Sequence, residues 1–342
     1  MMKFIVYFVT LSLLLLSCGQ KNKSVDLLSN LPHEEDIEAS LDSVGFSVEA
    51  LARPLAMVSF GDYIVIAQDK FDFMVSIFNL KTGEEQRILP KGHGQNELLS
   101  IYQMQVKDSI SFYVYDNLSQ KLLLVRKDKN GVFKINRDEH IDDYLSLAIN
   151  DSLLIGCCID TDYRYKIHNK LSKKEEWVGD YESFGIKPNV GKLLLLGHVA
   201  DNSRLGRMLW LSFYGAAWQV VSYKGNREVM KTKIYELPLY HTDDTGEQAI
   251  FEKETKLGFT SVTHNNHFVF ALYSGQLLEM ALKEKDKVTM GRHIIVLDWD
   301  GNMKECMNTK NEVKQIAYNQ EQECLFLLLD EKDGYKLKYL GY

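Results

Sequence analysis

The sequence predicts an all-β protein, a six-bladed β-propeller of four-stranded antiparallel blades with its ring closed by an N-terminal strand. Three observations lead there. A polar turn followed by an apolar run recurs at a period near 50 residues. No stretch carries the apolar period of a long amphipathic helix. The last unit lacks one strand, and a strand-like stretch ahead of the first unit can supply it.

The clearest unit runs from Phe259 to Met307. Two apolar runs flank the turn at His264-Asn265-Asn266. After a polar insert come a third run, Ile294 to Trp299, an Asp300-Gly301 turn and a fourth run. Four strands joined by tight turns make an up-and-down sheet. The same turn-and-run signal appears at Gly61-Asp62, Lys107-Asp108, Asn150-Asp151, around Arg207, at Asn265-Asn266 and at Gln320-Glu321. The first two steps are 46 and 43 residues, and later ones are lengthened by insertions after Tyr223 and after Ser274.

Each run leads to a third strand: 74–80, 121–126, 165–169, 218–223, 294–299 and 335–340. A more polar fourth strand follows five of them: 85–89, 132–137, 175–178, 228–237 and 303–308. The sixth unit ends at Tyr342, so its outer strand is expected from Gly45 to Ala52 (GFSVEALA). Near-continuous apolar runs inside and alternating ones outside suit inner strands covered on both faces by neighbouring blades. A β-sandwich is the competing architecture for such short strands.

The chain has 342 residues, too many for one ordinary compact core. A ring of units escapes that limit, because each packs only on its neighbours. A net charge of −7 with no basic stripe excludes nucleic acid as a partner class.

Residues 1–17 read as an export signal: Lys3, then a 13-residue apolar run ending in Leu15-Leu16-Ser17 before Cys18. The run is short for a membrane-spanning helix. Leu-Leu-Ser-Cys resembles a bacterial lipobox, which implies acyl chains on Cys18 and a membrane partner through them. The expectation is an exported, membrane-anchored protein, preferentially at an outer membrane facing the periplasm. Residues 18–43 are expected to be a polar tether, and 44–342 the propeller. Cys157 and Cys158 point to opposite faces of one strand and cannot readily bridge. A Cys306–Cys324 disulfide is the one pairing left open.

The Lys91-Gly92-His93-Gly94-Gln95-Asn96-Glu97 loop resembles a Gly-x-Gly-Pro-Gly-Glu signature of the TolB-like six-bladed propeller lipoproteins. So do Leu272-Tyr273-Ser274-Gly275, Val296 to Gly301 and the lipobox start. The resemblance covers most of residues 45–342, with Gln95-Asn96 in place of Pro-Gly. It implies a fold and an envelope location more than a reaction.

Chemistry has few carriers. Gly92 and Gly94 suit a tight inter-blade turn with Glu97 bonded to backbone. Asp69, Asp116, Asp160 and Asp330 recur where second strands end, and in a propeller they would share one face. There they would either cap turns or gather around a hard cation such as Ca²⁺, with no other cofactor expected. Tyr214 and Tyr273 hold the matching points of the fourth and fifth blades and would stack on a sugar or peptide. His264 and His267, three apart in a strand, do not share a face. No nucleophile elbow, zinc-helix or phosphate-loop motif is present. Two functions stand: a non-enzymatic binding or scaffold module for a protein, peptide or glycan, or a metal-dependent hydrolase or lyase with its site at the central channel.

Overall fold

The structure is a computed structural model that describes residues 26–48, 51–70, 72–94, 96–141, 144–158, 162–283 and 289–342. Cys18 and Asp160 lie outside the described residues.

Four blades are separate four-stranded antiparallel sheets. They comprise Pro54–Phe60 to Glu85–Ile88, Gln103–Asp108 to Phe133–His140, Tyr144–Ile149 to Glu175–Val178, and Gly197–Asn202 to Glu228–Glu236. The fifth and sixth blades join in one sheet through the long strand Met303–Asn319. Its first part pairs with Gly291–Asp298 as an outer strand, and its last part pairs with Cys324–Glu331 as an inner one. The first strand of every blade lies beside the first strands of both its neighbours, so the inner strands form a complete ring.

The core is divided among the interfaces between blades. In the first blade Val65 and Ala67 pack with Phe112, Val114 and Leu123 of the second. Ile64 and Ile66, alternating with them, pack with Phe326 and Leu328 of the sixth. Equivalent clusters fill the other interfaces in turn. Alternate residues of one strand therefore meet different blades. This is the physical reason that the inner strands read as unbroken apolar runs. Between the third and fourth blades the buried Arg164 donates to Gln219 Oε1 at 2.6 Å, its guanidinium 4.1 Å from the Trp210 ring and 4.5 Å from that of Phe184. Turns lock blades together as well. Gly301 has φ +69°, and its carbonyl accepts from Trp218 Nε1 of the fourth blade at 3.1 Å. A Cβ there would come within 2.8 Å of Val220.

The ring is closed from the N-terminal side, but upstream of the expected stretch. Asp42–Ser43 pairs with Tyr339 and Lys338 of the last strand, and Val44 N–H donates to Leu337 C=O at 3.3 Å. Among the described residues of 45–52 none pairs as a strand. Phe46 instead stacks on Phe78 at 5.8 Å, and Val48 is buried between the first and sixth blades. Burial of these apolar side chains outweighs further ladder bonds at an edge that is already short.

The tether expectation also needs correction from residue 26 onward. Leu27 is 0% and Ile37 1% exposed. Leu27 enters the interface of the fourth and fifth blades, and Ile37 that of the fifth and sixth. Glu34–Asp36 runs parallel to Cys306–Asn308 as an extra strand. Its three acidic side chains are exposed, as a charge run predicts, while its backbone is paired. The described cysteines are free thiols, so Cys306 and Cys324 do not bridge.

The two ends of the ring differ. The turns after first strands, such as Gly61-Asp62 and Asn265-Asn266-His267, are all short. The long connections lie at the opposite end. They carry the helix Pro188–Leu194, the hairpin Tyr240–Thr242 with Ala249–Phe251, and the helix Leu278–Lys283.

Candidate site at the mouth of the central channel

A cavity of about 470 Å³ opens on the short-turn end, lined by the ends of the first strands and the turns that follow them. Its rim is built by one repeated device. In five of the six blades the last residue of the first strand, or the one just after it, is an Asp or Asn whose side-chain oxygen caps the turn. Asp108 accepts from Ile110 N–H at 3.0 Å, Asn150 from Leu153 N–H at 2.8 Å and Asn202 from Leu205 N–H at 3.1 Å. Asn265 accepts from Phe268 N–H at 2.7 Å and Asn319 from Glu321 N–H at 3.1 Å. These caps stiffen the rim and leave the next residues, Asp151, Ser203, Arg204, Asn266 and Gln320, exposed around it.

Side chains also bind neighbouring inner strands, which are too splayed to share a ladder. Gln105 donates to Ile149 C=O at 2.7 Å and accepts from Ile149 N–H at 2.8 Å. Gln103 does the same with Leu147. Thr263 accepts from Tyr318 N–H at 2.9 Å, and Asn319 donates to Ser59 Oγ at 2.8 Å. The wall is therefore preorganised before any ligand arrives.

Three titratable groups line it with shifted equilibria. Burial pushes the Asp201 carboxyl up to about 6, although Tyr223 Oη donates to it. Burial lowers His198 and His264 to about 4. His198 Nε2 has no hydrogen-bond partner among the described residues. Near neutral pH the wall offers two neutral imidazoles and a carboxylate that titrates close by, with Lys107 and Arg204 further out.

The residues singled out in the sequence lie at the other end. Asp69 pairs with Lys91 Nζ at 2.6 Å. Asp116 is fully buried and accepts from Leu99 N–H at 2.6 Å, Leu118 N–H at 2.9 Å and Ser119 Oγ at 2.6 Å, holding a turn. Tyr214 packs on Phe251 with ring centroids 4.3 Å apart. Tyr273 is buried against Phe259, and Asp330 lies opposite Glu312 in the sixth blade. Among the described residues no three His, Cys, Asp or Glu side chains gather as a metal site. The loop after Lys91 is the tight turn expected, with Gly94 N–H donating to Glu97 Oε2 at 2.8 Å. The mouth was signalled in the sequence all the same. Its Asp and Asn caps sit in or beside the turns that mark the repeat.

A model of the TolB-like 6-blade propeller-like family matches residues 39–321. The chain belongs to the TolB-like six-bladed propeller family. Among solved structures, a member of the DUF4221 family from Bacteroides vulgatus is similar at 14% identity and a TM-score of 0.52, over 87% of this chain and 96% of that one. A Bacteroides fragilis protein described as exported is similar at 9% identity and a TM-score of 0.53, over 90% of this chain and 97% of that one. Among curated proteins no sequence matches. At these identities the likeness to the solved structures extends to the fold of this TolB-like propeller and not to a ligand. No described helix is long and apolar enough to cross a membrane.

Proposed function

We propose that this chain is a lipid-anchored, exported binding module that takes a polar peptide or glycan segment at the mouth of its channel. The observation that carries the reading is the rim itself: Asp and Asn caps hold five of its six turns, and exposed polar residues of the third to sixth blades surround one cavity. Donors and acceptors of both signs suit a hydroxyl-rich or amide-rich ligand better than an apolar one. The Leu15-Leu16-Ser17-Cys18 stretch supports export and acylation at Cys18. The outer membrane is the preferred location, with the domain in the periplasm.

Thermal-shift and calorimetric screening of the purified chain against cell-wall glycans and periplasmic peptides tests the binding claim. The double substitution Asp151→Ala with Arg204→Ala should abolish a hit while leaving the melting temperature of the free protein within a degree or two, since both side chains are exposed. A hit abolished by Asp69→Ala or Asp330→Ala instead, and untouched by the mouth variant, would assign binding to the opposite end.

A further inference from the structure

The two insertions that break the repeat meet on the far side of the ring from the mouth. Leu278 N–H donates to Thr255 C=O at 2.7 Å, Glu279 N–H to Lys253 C=O at 3.0 Å and Leu257 N–H to Gln276 C=O at 2.8 Å. Together they form one annexe over the fourth and fifth blades. The hairpin in it is two-faced. Tyr240, Ala249 and Phe251 pack on the core, and the helix Pro188–Leu194 packs beside them. The other face turns Ile250 outward opposite His241. Leu193, Leu239, Ile250, Leu277 and Met280 are each between 39% and 47% exposed. Thus the long connections end in apolar side chains that the fold does not cover.

The N-terminal end of the described chain lies at the same place. Asp26 approaches Lys256 Nζ at 3.9 Å, and Lys256 in turn pairs with Glu236 at 3.1 Å. Cys18 is only eight residues before Asp26. Even fully extended, those residues reach no more than roughly 29 Å. An acylated Cys18 would therefore hold this rim of the propeller close to the lipid surface.

We propose that the annexe formed by Leu239, Ile250, Leu277 and Met280 rests on the bilayer to which the chain is anchored, so that the channel mouth faces away from the membrane. This rests on the reading of Cys18 as the lipid anchor. The occupant is lipid and not a protein, because the short leader puts the bilayer within reach of these side chains whether or not a partner is present. Acids and lysines are mixed around the patch, with Glu247, Glu252 and Glu279 near Lys253 and Lys256. Contact would then depend on apolar insertion and be little affected by salt.

The test uses the full lipidated chain in phosphatidylethanolamine–phosphatidylcholine vesicles containing nitroxide-labelled lipid. Ile250→Cys and Met280→Cys variants carry an environment-sensitive fluorophore, and Leu171→Cys in a turn on the mouth end is the control. The buried native thiols stay unlabelled under native conditions. At positions 250 and 280 emission should shift to the blue and fall roughly twofold on adding nitroxide lipid, with little change at 171. Equal quenching at all three positions, or quenching at 171 alone, would overturn the orientation while leaving the anchor intact. A chain that alkaline carbonate strips from the vesicles would overturn the anchor and this inference with it. Release of the Cys18→Ala variant, with retention of the native chain, separates the two outcomes.

Discussion

Tyr102 and His198 stack across the ring, with ring centroids 6.3 Å apart and planes 17° from parallel. They belong to the second and fourth blades, which are not neighbours in the ring. Tyr102 Oη also donates to Gly197 C=O at 3.4 Å. His198 lines the cavity that opens at the short-turn end, and burial raises the pKa of the Tyr102 hydroxyl. The stack therefore fixes the ring of a group that lines the mouth.

His198 makes the mouth sensitive to acid. Its pKa is about 4 in the fold against 6.5 for the free side chain. The folded state therefore keeps a neutral ring where the unfolded chain takes up a proton. That contribution to stability is full above pH 6.5 and is lost as pH falls through about 4. His198→Phe preserves the stack and removes the titration. Melting curves at pH 7 and pH 4.5 should show the native chain losing about 1–3 kcal/mol more than the variant. An identical pH dependence in both would rule out this origin.

Asp201 acts in the opposite sense. Its pKa is raised from 3.8 to about 6, so its favourable contribution is full below pH 3.8 and is lost as pH rises through about 6. Asp201→Asn keeps an oxygen to accept from Tyr223. The variant should gain in melting temperature relative to the native chain at pH 8, and the gain should shrink at pH 4.5. A gain that is larger at pH 4.5 than at pH 8 would contradict the assigned shift.

The radial sheets were legible because each inner strand presents alternate residues to different blades, as Ile64 and Val65 do. This leaves a continuous apolar run bounded by polar turns. The strand 165–169 and the strand 175–178 fall where the sequence puts them. The closing strand was misplaced because Asp42–Ser43 is two polar residues whose pairing depends on the last strand's free edge. Phe46 and Val48, which look like strand residues, are used as packing. The caps at the mouth are visible in the sequence, but which end of the ring holds the cavity is not. Asp69 and Asp116 repeat as regularly as the mouth residues do, and only the geometry shows that each is tied to a local partner.

Leu27 and Ile37 show how much of the polar-looking leader belongs to the propeller. Leu27→Ala should destabilise the protein by about 2–4 kcal/mol, the usual loss for truncating a fully buried leucine. Urea unfolding of the full chain measures it. A change below about 0.5 kcal/mol, typical of an exposed site, would show that residues 26–43 are a loose tether after all.

The central claim is that one ring is closed by pairing the N-terminal segment with the last strand, because the mouth needs every inner strand in place. Asp42 and Tyr339 are register partners, far apart in sequence. Introducing Asp42→Cys with Tyr339→Cys and oxidising the native protein measures their adjacency directly, with peptide mapping to identify the bridge. The account predicts an efficient 42–339 disulfide and a higher unfolding midpoint that reduction reverses. Absence of that bridge, or a Phe46→Cys with Tyr339→Cys pair that cross-links just as well, would contradict it.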